Sequence, residues 1–416
     1  MESKAFELTP SSDNISQNDK AFSGYQWTYF SSLQEGPLRS RAELFLASVN
    51  WPALLEYSAK KRHGINCTLL PNIGLGYNHI VRIVEFADET RWVARLRMPP
   101  LIKSGSDKDA LKNTMNCEIN AISLVRQKTG IPVPQIHAFE VESGNSVKAP
   151  FMLMDCLEGN VGMDLGMKIP PEYKQAFLSS LAKIHVQLSA VQLPKIGTIV
   201  SINRDSTYQQ GPIPGLGGPF DTATEFFKAW AAKVEFGMSD EQLRAASGPY
   251  AAEIIPSVSS FAKAINELAG RLSIRDRGPF PLCHGDFGHN NVIVNDRYHI
   301  LGVIDWESAF AGPWEVFADF PLTFQTVPPA MDAPWNYDEE GSPQSTDLIQ
   351  KFADQKAYMA AVRQEENRND GISLCLSEAL GDSRRRQLAT AMRLYQNGKV
   401  GWYSKLIDEF LSELIS

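Results

Sequence analysis

The residues best suited to chemistry lie in one short run. His284-Gly285-Asp286-Phe287-Gly288-His289-Asn290-Asn291 fits the spacing H-x-D-x-x-x-x-N, and Asp305 follows at the end of an apolar segment, Gly302-Val303-Ile304-Asp305. Phosphoryl transfer needs such parts. Asp286 is a carboxylate that can receive or orient the proton of an attacking hydroxyl, and His284 is a second candidate in the same loop. The amide oxygen of Asn291 and the carboxylate of Asp305 are hard oxygen ligands of the kind that hold Mg²⁺ against nucleotide phosphates. Segments 292–294 and 300–305 read as two short strands. Asn291 then stands just before one strand and Asp305 just after the other, so both can face one metal.

The same residues admit other chemistry. His284, Asp286 and His289 have a spacing that could ligate a transition metal in a hydrolase, although no second His/Asp cluster follows. A D-F-G or A-P-E sequence is absent, so no protein-kinase activation segment is evident.

The surrounding elements are read from periodicity. Residues 1–37 are rich in Ser, Asn, Asp and Gln and are expected to be poorly ordered. Residues 38–63 carry two short helices, broken at Asn50-Trp51-Pro52. The period then changes to two: 79–86 and 91–97 read as a hairpin, with Val93, Arg95 and Arg97 on one face and Trp92, Ala94 and Leu96 on the other. Residues 109–128 return to a helical period. Segments 131–140 and 149–159 read as two more strands. The rest is mostly helical, at 171–190, 222–235, 251–271, 346–366 and 383–414, with irregular stretches at 211–220 and 321–345. Gly211–Phe220 is glycine-rich but follows no strand, so it reads as a loop and not as a phosphate cradle.

Bulk properties narrow the class. The chain has 416 residues, 43% hydrophobic and 21% charged, which suffices for a large two-lobed unit. A net charge of -8 argues against a nucleic-acid partner. The five cysteines form no Cys-x-x-Cys pair, which argues against a zinc site and for reduced thiols. No apolar run reaches the roughly 18 residues that a membrane helix needs, and the N-terminus lacks a signal-peptide core. A soluble, cytoplasmic protein without a membrane partner is expected.

The run Leu282–Val294 and the later Gly302–Glu315 resemble the catalytic core of the aminoglycoside phosphotransferase and choline-kinase-like family, most closely its fungal members, whose substrates are mostly unassigned. The resemblance extends from about Gly64 to about Pro321. It implies an α+β, two-lobed kinase-like fold: an N-lobe at 64–157 with a small antiparallel sheet and one helix, and a helical C-lobe at 158–416. The implied activity is transfer of the γ-phosphate of ATP or GTP, with Mg²⁺, to a small-molecule hydroxyl. A pseudokinase that binds nucleotide or a partner is the alternative.

By the same resemblance, Gly74–Ile83 is the nucleotide loop, with Gly76 at the phosphates and Asn78 at the loop's exit. Arg95 is the strand cation for the phosphates and Glu118 the helix carboxylate that pairs with it. Asp155, Cys156 and Leu157 form the hinge that meets the base. Arg95 stands where aminoglycoside kinases carry Lys; Arg can still clamp phosphate through its planar fork. Glu307, Glu315 and Asp319 are candidates for hydrogen bonds in the floor of the catalytic loop. His185 reads as a packed core histidine. The acceptor pocket is expected between Pro194 and Arg277, where Asp221, Glu225 and Trp230 could meet a cationic substrate or simply be a solvated face.

Overall fold

The structure is a computed structural model that describes residues 30–101, 108–162, 164–165, 168–203, 205, 207–368 and 375–413. Most of the N-terminal stretch expected to be poorly ordered lies outside the described residues. The first two α-helices of the described residues are α1 (Pro37–Ser48) and α2 (Trp51–Lys61). They part at Asn50, whose side chain caps α2 by accepting from the Ala53 amide at 3.3 Å, and Pro52 sits in the first turn where no donor is needed.

A five-stranded antiparallel sheet follows: β1 (Cys67–Leu75), β2 (His79–Phe86), β3 (Arg91–Arg97), β4 (Ile136–Glu140) and β5 (Phe151–Asp155), in the order β1-β2-β3-β5-β4. Strand β3 alternates as expected. Trp92, Ala94 and Leu96 are buried on the side packed by α1 and α2. The opposite face carries Arg95 and is covered by α3 (Lys108–Lys128), through Met115 and Ile119 against Met152 and Met154. The sequence did not suggest β1. It contains Pro71, which cannot donate to a ladder, and the structure accommodates it on an edge strand whose register shifts between Leu69 and Ile73.

The second part is a helical body. Its elements are α4 (Pro171–Ser189), β6 (Gln192–Leu193), the hairpin β7 (Thr198–Ile202) and β8 (Tyr208–Gly211), α5 (Ala223–Lys233), α6 (Asp240–Ser247) and α7 (Ala251–Leu268). Then come β9 (Phe280–Cys283), β10 (Val292–Val294), β11 (Ile300–Val303), β12 (Phe310–Ala311) and α8 (Trp314–Phe317), followed by α9 (Thr346–Arg368), α10 (Cys375–Gly381), α11 (Ser383–Gln396) and α12 (Tyr403–Glu413). The stretch 383–414, expected to be helical, forms two helices. Gly398, at φ +70°, turns the chain between them and lies against the backbone of Gly237. The hairpin β7–β8 and helix α6 were not anticipated. No helix among the described residues is long and apolar enough to cross a membrane.

His185 on α4 is a core histidine, as read. It is 3% exposed and bonded to the Tyr358 hydroxyl at 2.8 Å and to the Phe317 carbonyl at 3.0 Å. Burial lowers its pKa to about 4, although the bond to the Phe317 carbonyl opposes the shift. The unfolded chain, near 6.5, therefore binds the proton first as pH falls. Stability from this group is complete above about pH 6.5 and is lost as pH falls towards 4, about 3 kcal/mol in all. Urea unfolding from pH 7 to 4 should show this extra acid sensitivity in the wild type and not in His185→Gln; parallel curves would contradict it.

Candidate active site

Strand β9 is buried along its whole length and delivers the chain to His284 at the edge of the helical body. His284 is 2% exposed, and both ring nitrogens are engaged. Nε2 donates to the Ile304 carbonyl at 2.9 Å, and Nδ1 accepts from the Asp286 amide at 3.3 Å. Burial holds its pKa below the ordinary value, against the pull of the Ile304 carbonyl, Asp305 and Asp286. The ring thus ties the loop of Asp286 to the segment that ends in Asp305, and neither nitrogen is left for a proton transfer or a metal. The expectation that His284 is itself a catalytic group thus meets a ring whose two nitrogens are both bonded to the backbone.

Gly285 fits this bend for a steric reason. Its φ is +87°, and a Cβ there would lie 2.4 Å from the Ser308 carbonyl oxygen. Gly215, at φ +74°, has open space around it. Gly285→Ala should therefore lose more stability than Gly215→Ala, with left-handed strain of about 1–3 kcal/mol common to both. Thermal melting of the two variants checks this; equal losses would mean that Ser308 yields freely.

Asp286 is exposed, next to the exposed Gly285. Asn291 donates through Nδ2 to the carbonyl of Asp286 and to its Oδ2, both at 2.8 Å. Two oxygen acceptors on one side fix the amide's orientation, so Oδ1 of Asn291 is the atom turned away from Asp286. Strands β10 and β11 pair Val292 with Val303, and the Ile304 amide donates to the Asn291 carbonyl at 2.9 Å, so the hairpin brings Asn291 and Asp305 to one end. Asp305 has φ +64°, a conformation that is costly for a non-glycine residue and common at functional sites. An amide oxygen and a carboxylate on one hairpin end fit a hard cation that completes its shell with phosphate oxygens and water. Among the described residues, no group of three or more His, Cys, Asp or Glu side chains could hold a metal ion. Both nitrogens of His284, one ligand of the transition-metal hydrolase reading, are engaged by the backbone.

The sheet meets this loop through two ion pairs. Arg95 bonds to the buried Glu118 and, at 2.6 Å, to Asp305 Oδ1. Arg97 bonds to Glu307, which also accepts from Asn78 Nδ2 at 3.3 Å. The R-x-R of β3 thus faces the D-x-E of Asp305-Trp306-Glu307 residue for residue. Burial alone would lower the Arg95 pKa, but Glu118, Asp305 and Glu307 raise it, so it remains charged. Burial pushes the Glu118 carboxyl up to about 7 against the pull of Arg95, with Asp305 and Glu307 adding to the rise. His79 lies between the two guanidiniums, 3.1 Å from Arg95 and 3.3 Å from Arg97. Burial first, then Arg95, Arg97 and Arg41, hold its pKa well below the ordinary value, so it is neutral.

Glu307 was expected as one candidate for the loop floor, and it faces the other lobe instead. Glu315 and Asp319 do brace the interior. Glu315 accepts from the Ile274 amide at 2.7 Å and from Ser273, and Asp319 from the Phe320 amide at 2.9 Å and from Thr390 at 2.8 Å.

At the loop between β1 and β2, the Gly76 amide donates to the His79 carbonyl at 2.9 Å, and the Asn78 carbonyl accepts from Met98. Sequence reasoning missed Arg41 on α1. It donates to the Tyr77 carbonyl and stacks over that ring at 5.4 Å, so a helix outside the sheet holds the tip of the loop. At the end of β5, the Asp155 amide donates to the Gln135 carbonyl at 3.0 Å, and its carboxylate takes the Gln135 amide and His137. The Asp155 N–H is thus bonded within the protein, which bears on that amide alone among the backbone groups expected to meet a base.

Of the residues expected in the acceptor pocket, Asp221 pairs with Lys195 at 3.0 Å and Glu225 closes a capping box at the start of α5. Both border an open depression with Pro194, Arg277 and Pro279, beyond the end of β9 that is remote from His284. Trp230 is buried.

Comparison with known proteins sets this geometry in context. A curated fungal protein, the clavilactone A biosynthesis cluster protein Y of Ampulloclitocybe clavipes, is 24% identical over 272 residues, and the match covers 60% of this chain and 58% of that relative. Among solved structures, a thermostable mutant of aminoglycoside phosphotransferase APH(4)-Ia is 16% identical with a TM-score of 0.44, covering 86% of this chain and 98% of that one. A macrolide 2'-phosphotransferase from Brachybacterium faecium is 16% identical with a TM-score of 0.36, covering 84% and 97%. The model of the phosphotransferase enzyme family matches residues 78–316, a span that holds the β2–β3 hairpin, Arg95, Glu118, Asp286, Asn291 and Asp305, and the chain belongs to that family.

Proposed function

We propose that this chain transfers the γ-phosphate of ATP or GTP to a hydroxyl of a small molecule, with Asp286 accepting the hydroxyl proton. The observation that carries the reading is the pair of 2.8 Å bonds from Asn291 to Asp286. One side chain there orients the base and leaves its own amide oxygen turned away from it, on the side where Mg²⁺ would bind. Asn291 and Asp305 would hold Mg²⁺, which neutralises charge on the transferring phosphate. Arg95 offers a planar, permanently charged fork for the phosphates, with Glu118 keeping it aimed. Gly76 and Asn78 border the phosphate loop, and Cys156 and Leu157 the base. His284 is a positioning residue.

A nucleotide-binding role without turnover is the second reading. The Arg95–Asp305 contact favours it, because it occupies one oxygen of the carboxylate assigned to the metal. Melting with nucleotide and Mg²⁺, combined with an assay for γ-phosphate release, separates the two. Ligand at 100 times Kd adds about 2.7 kcal/mol to stability, so both readings expect a rise in Tm. Only the first expects Mg²⁺-dependent release to an alcohol. No rise at millimolar ATP or GTP with Mg²⁺ would sink both.

A further inference from the structure

A cavity of about 240 Å³ opens beside the catalytic loop. His284, Gly285 and Phe287, which flank Asp286 in the chain, line it, and of these Gly285 is exposed. Its inner wall is made of buried aromatic and aliphatic side chains, chiefly Phe226, Trp230, Phe317, Phe320 and Met392. Two charged side chains line it, Asp319 and Arg393, and they lie 3.5 Å apart. Asp319 is further occupied by Thr390 and the Phe320 amide, and Gln325 bonds to both Asp319 and Arg393. The two histidines in the wall, His185 and His284, are held neutral by burial.

We infer that this cavity is the acceptor site and that it takes an apolar alcohol or phenol of about one ring, not a polycationic amino sugar. The inference rests on the phosphotransferase reading and adds the substrate class to it. Ligand sites are mostly apolar, with few polar groups that orient the ligand. Here the two charged side chains of the wall, Asp319 and Arg393, are already paired with each other, so a polyammonium body inside the cavity would be desolvated with no unpaired carboxylate in the wall to meet it. The volume lies between that of a cavity that holds benzene, about 150 Å³, and the about 300 Å³ at the small end of drug-sized pockets. An acceptor with its ring in the cavity presents its hydroxyl at Gly285, where Asp286 is exposed. The oxygen then bonds to the γ-phosphorus, the bond to the β,γ-bridging oxygen breaks, and the proton passes to Asp286.

The test supplies Mg²⁺ and ATP with 4-phenylbutan-1-ol, 2-phenylethanol or 4-ethylphenol, against kanamycin and choline, and follows ADP. At least one aromatic alcohol should exceed both cationic acceptors in kcat/KM by about 100-fold. Ala389→Leu and Val316→Phe, on the cavity wall and outside the catalytic machinery, should raise the KM of that alcohol at least tenfold. The Tm rise with Mg²⁺ and ATP should stay at the wild-type value. Higher kcat/KM for kanamycin or choline, an unchanged KM in a folded filling variant, or neither turnover nor binding of any aromatic alcohol by the protein loaded with Mg²⁺ and AMP-PNP would overturn the inference while the nucleotide response stands. Absence of that nucleotide response would overturn it together with the phosphotransferase reading.

Discussion

Asp286→Ala is expected to lower phosphoryl transfer by about 10²–10⁴ while the protein stays folded and keeps its nucleotide affinity. The side chain is exposed, so its removal opens no cavity, and Asn291 retains the Asp286 carbonyl as a partner for Nδ2. What is lost is the carboxylate to which the proposed function assigns the hydroxyl proton. His284 cannot replace it, because both its nitrogens are bonded to the backbone. The measurement is γ-phosphate release, to water or to an acceptor, at saturating nucleotide. Wild-type turnover in Asp286→Ala would remove the base assignment.

Arg95→Met should have the largest effect on stability. Glu118 is 2% exposed and depends on Arg95 for its charge partner. Breaking a buried pair from one side costs about 3–5 kcal/mol, whereas replacing both partners with apolar groups is often nearly neutral. Arg95→Met/Glu118→Met should therefore recover most of the loss, a coupling that a double-mutant cycle reads directly. The sign with pH is also fixed. The Glu118 pKa is raised in the folded state, so its unfavourable contribution grows as pH rises from the unfolded value towards about 7. Without Arg95 the folded pKa climbs further, and the destabilisation should keep growing above pH 7. A loss below about 1 kcal/mol, as for an exposed pair, and independent of pH would contradict this. Arg97→Met should cost less, because Arg97 and Glu307 are both partly solvated.

The geometry of the candidate loop was legible because it is local. His284 to Asn291 lie on one turn, and the apolar residues around 292–294 and 300–303 imply the hairpin that brings Asp305 back to Asn291. The faces of β3 were legible for the same reason, since a period of two fixes which side Arg95 and Arg97 share. What sequence could not give were partners far apart in the chain. Glu307 looked like a floor residue because its neighbours in sequence belong to the C-lobe, yet the N-lobe strand supplies its partner, Arg97. Arg41 stands in a helix with a weakly patterned sequence, and only its packing against Tyr77 gives it a place at the loop. The Asp155 amide looked free until β4 paired with β5. His284 stood out as a reactive type, and burial with two backbone bonds made it a strut. The acidic residues near Asp221 drew attention to one end of β9, while the cavity lies at the other, built from aromatic residues of helices far apart in sequence.

The most direct test of the account is the Mg²⁺ dependence of AMP-PNP affinity in the wild type, Asp286→Ala and Asp305→Ala, measured by calorimetry at two Mg²⁺ concentrations. The account predicts that raising Mg²⁺ tightens binding equally in the wild type and Asp286→Ala, and that Asp305→Ala loses this response. An equal loss in both variants, or no Mg²⁺ dependence in the wild type, would contradict it.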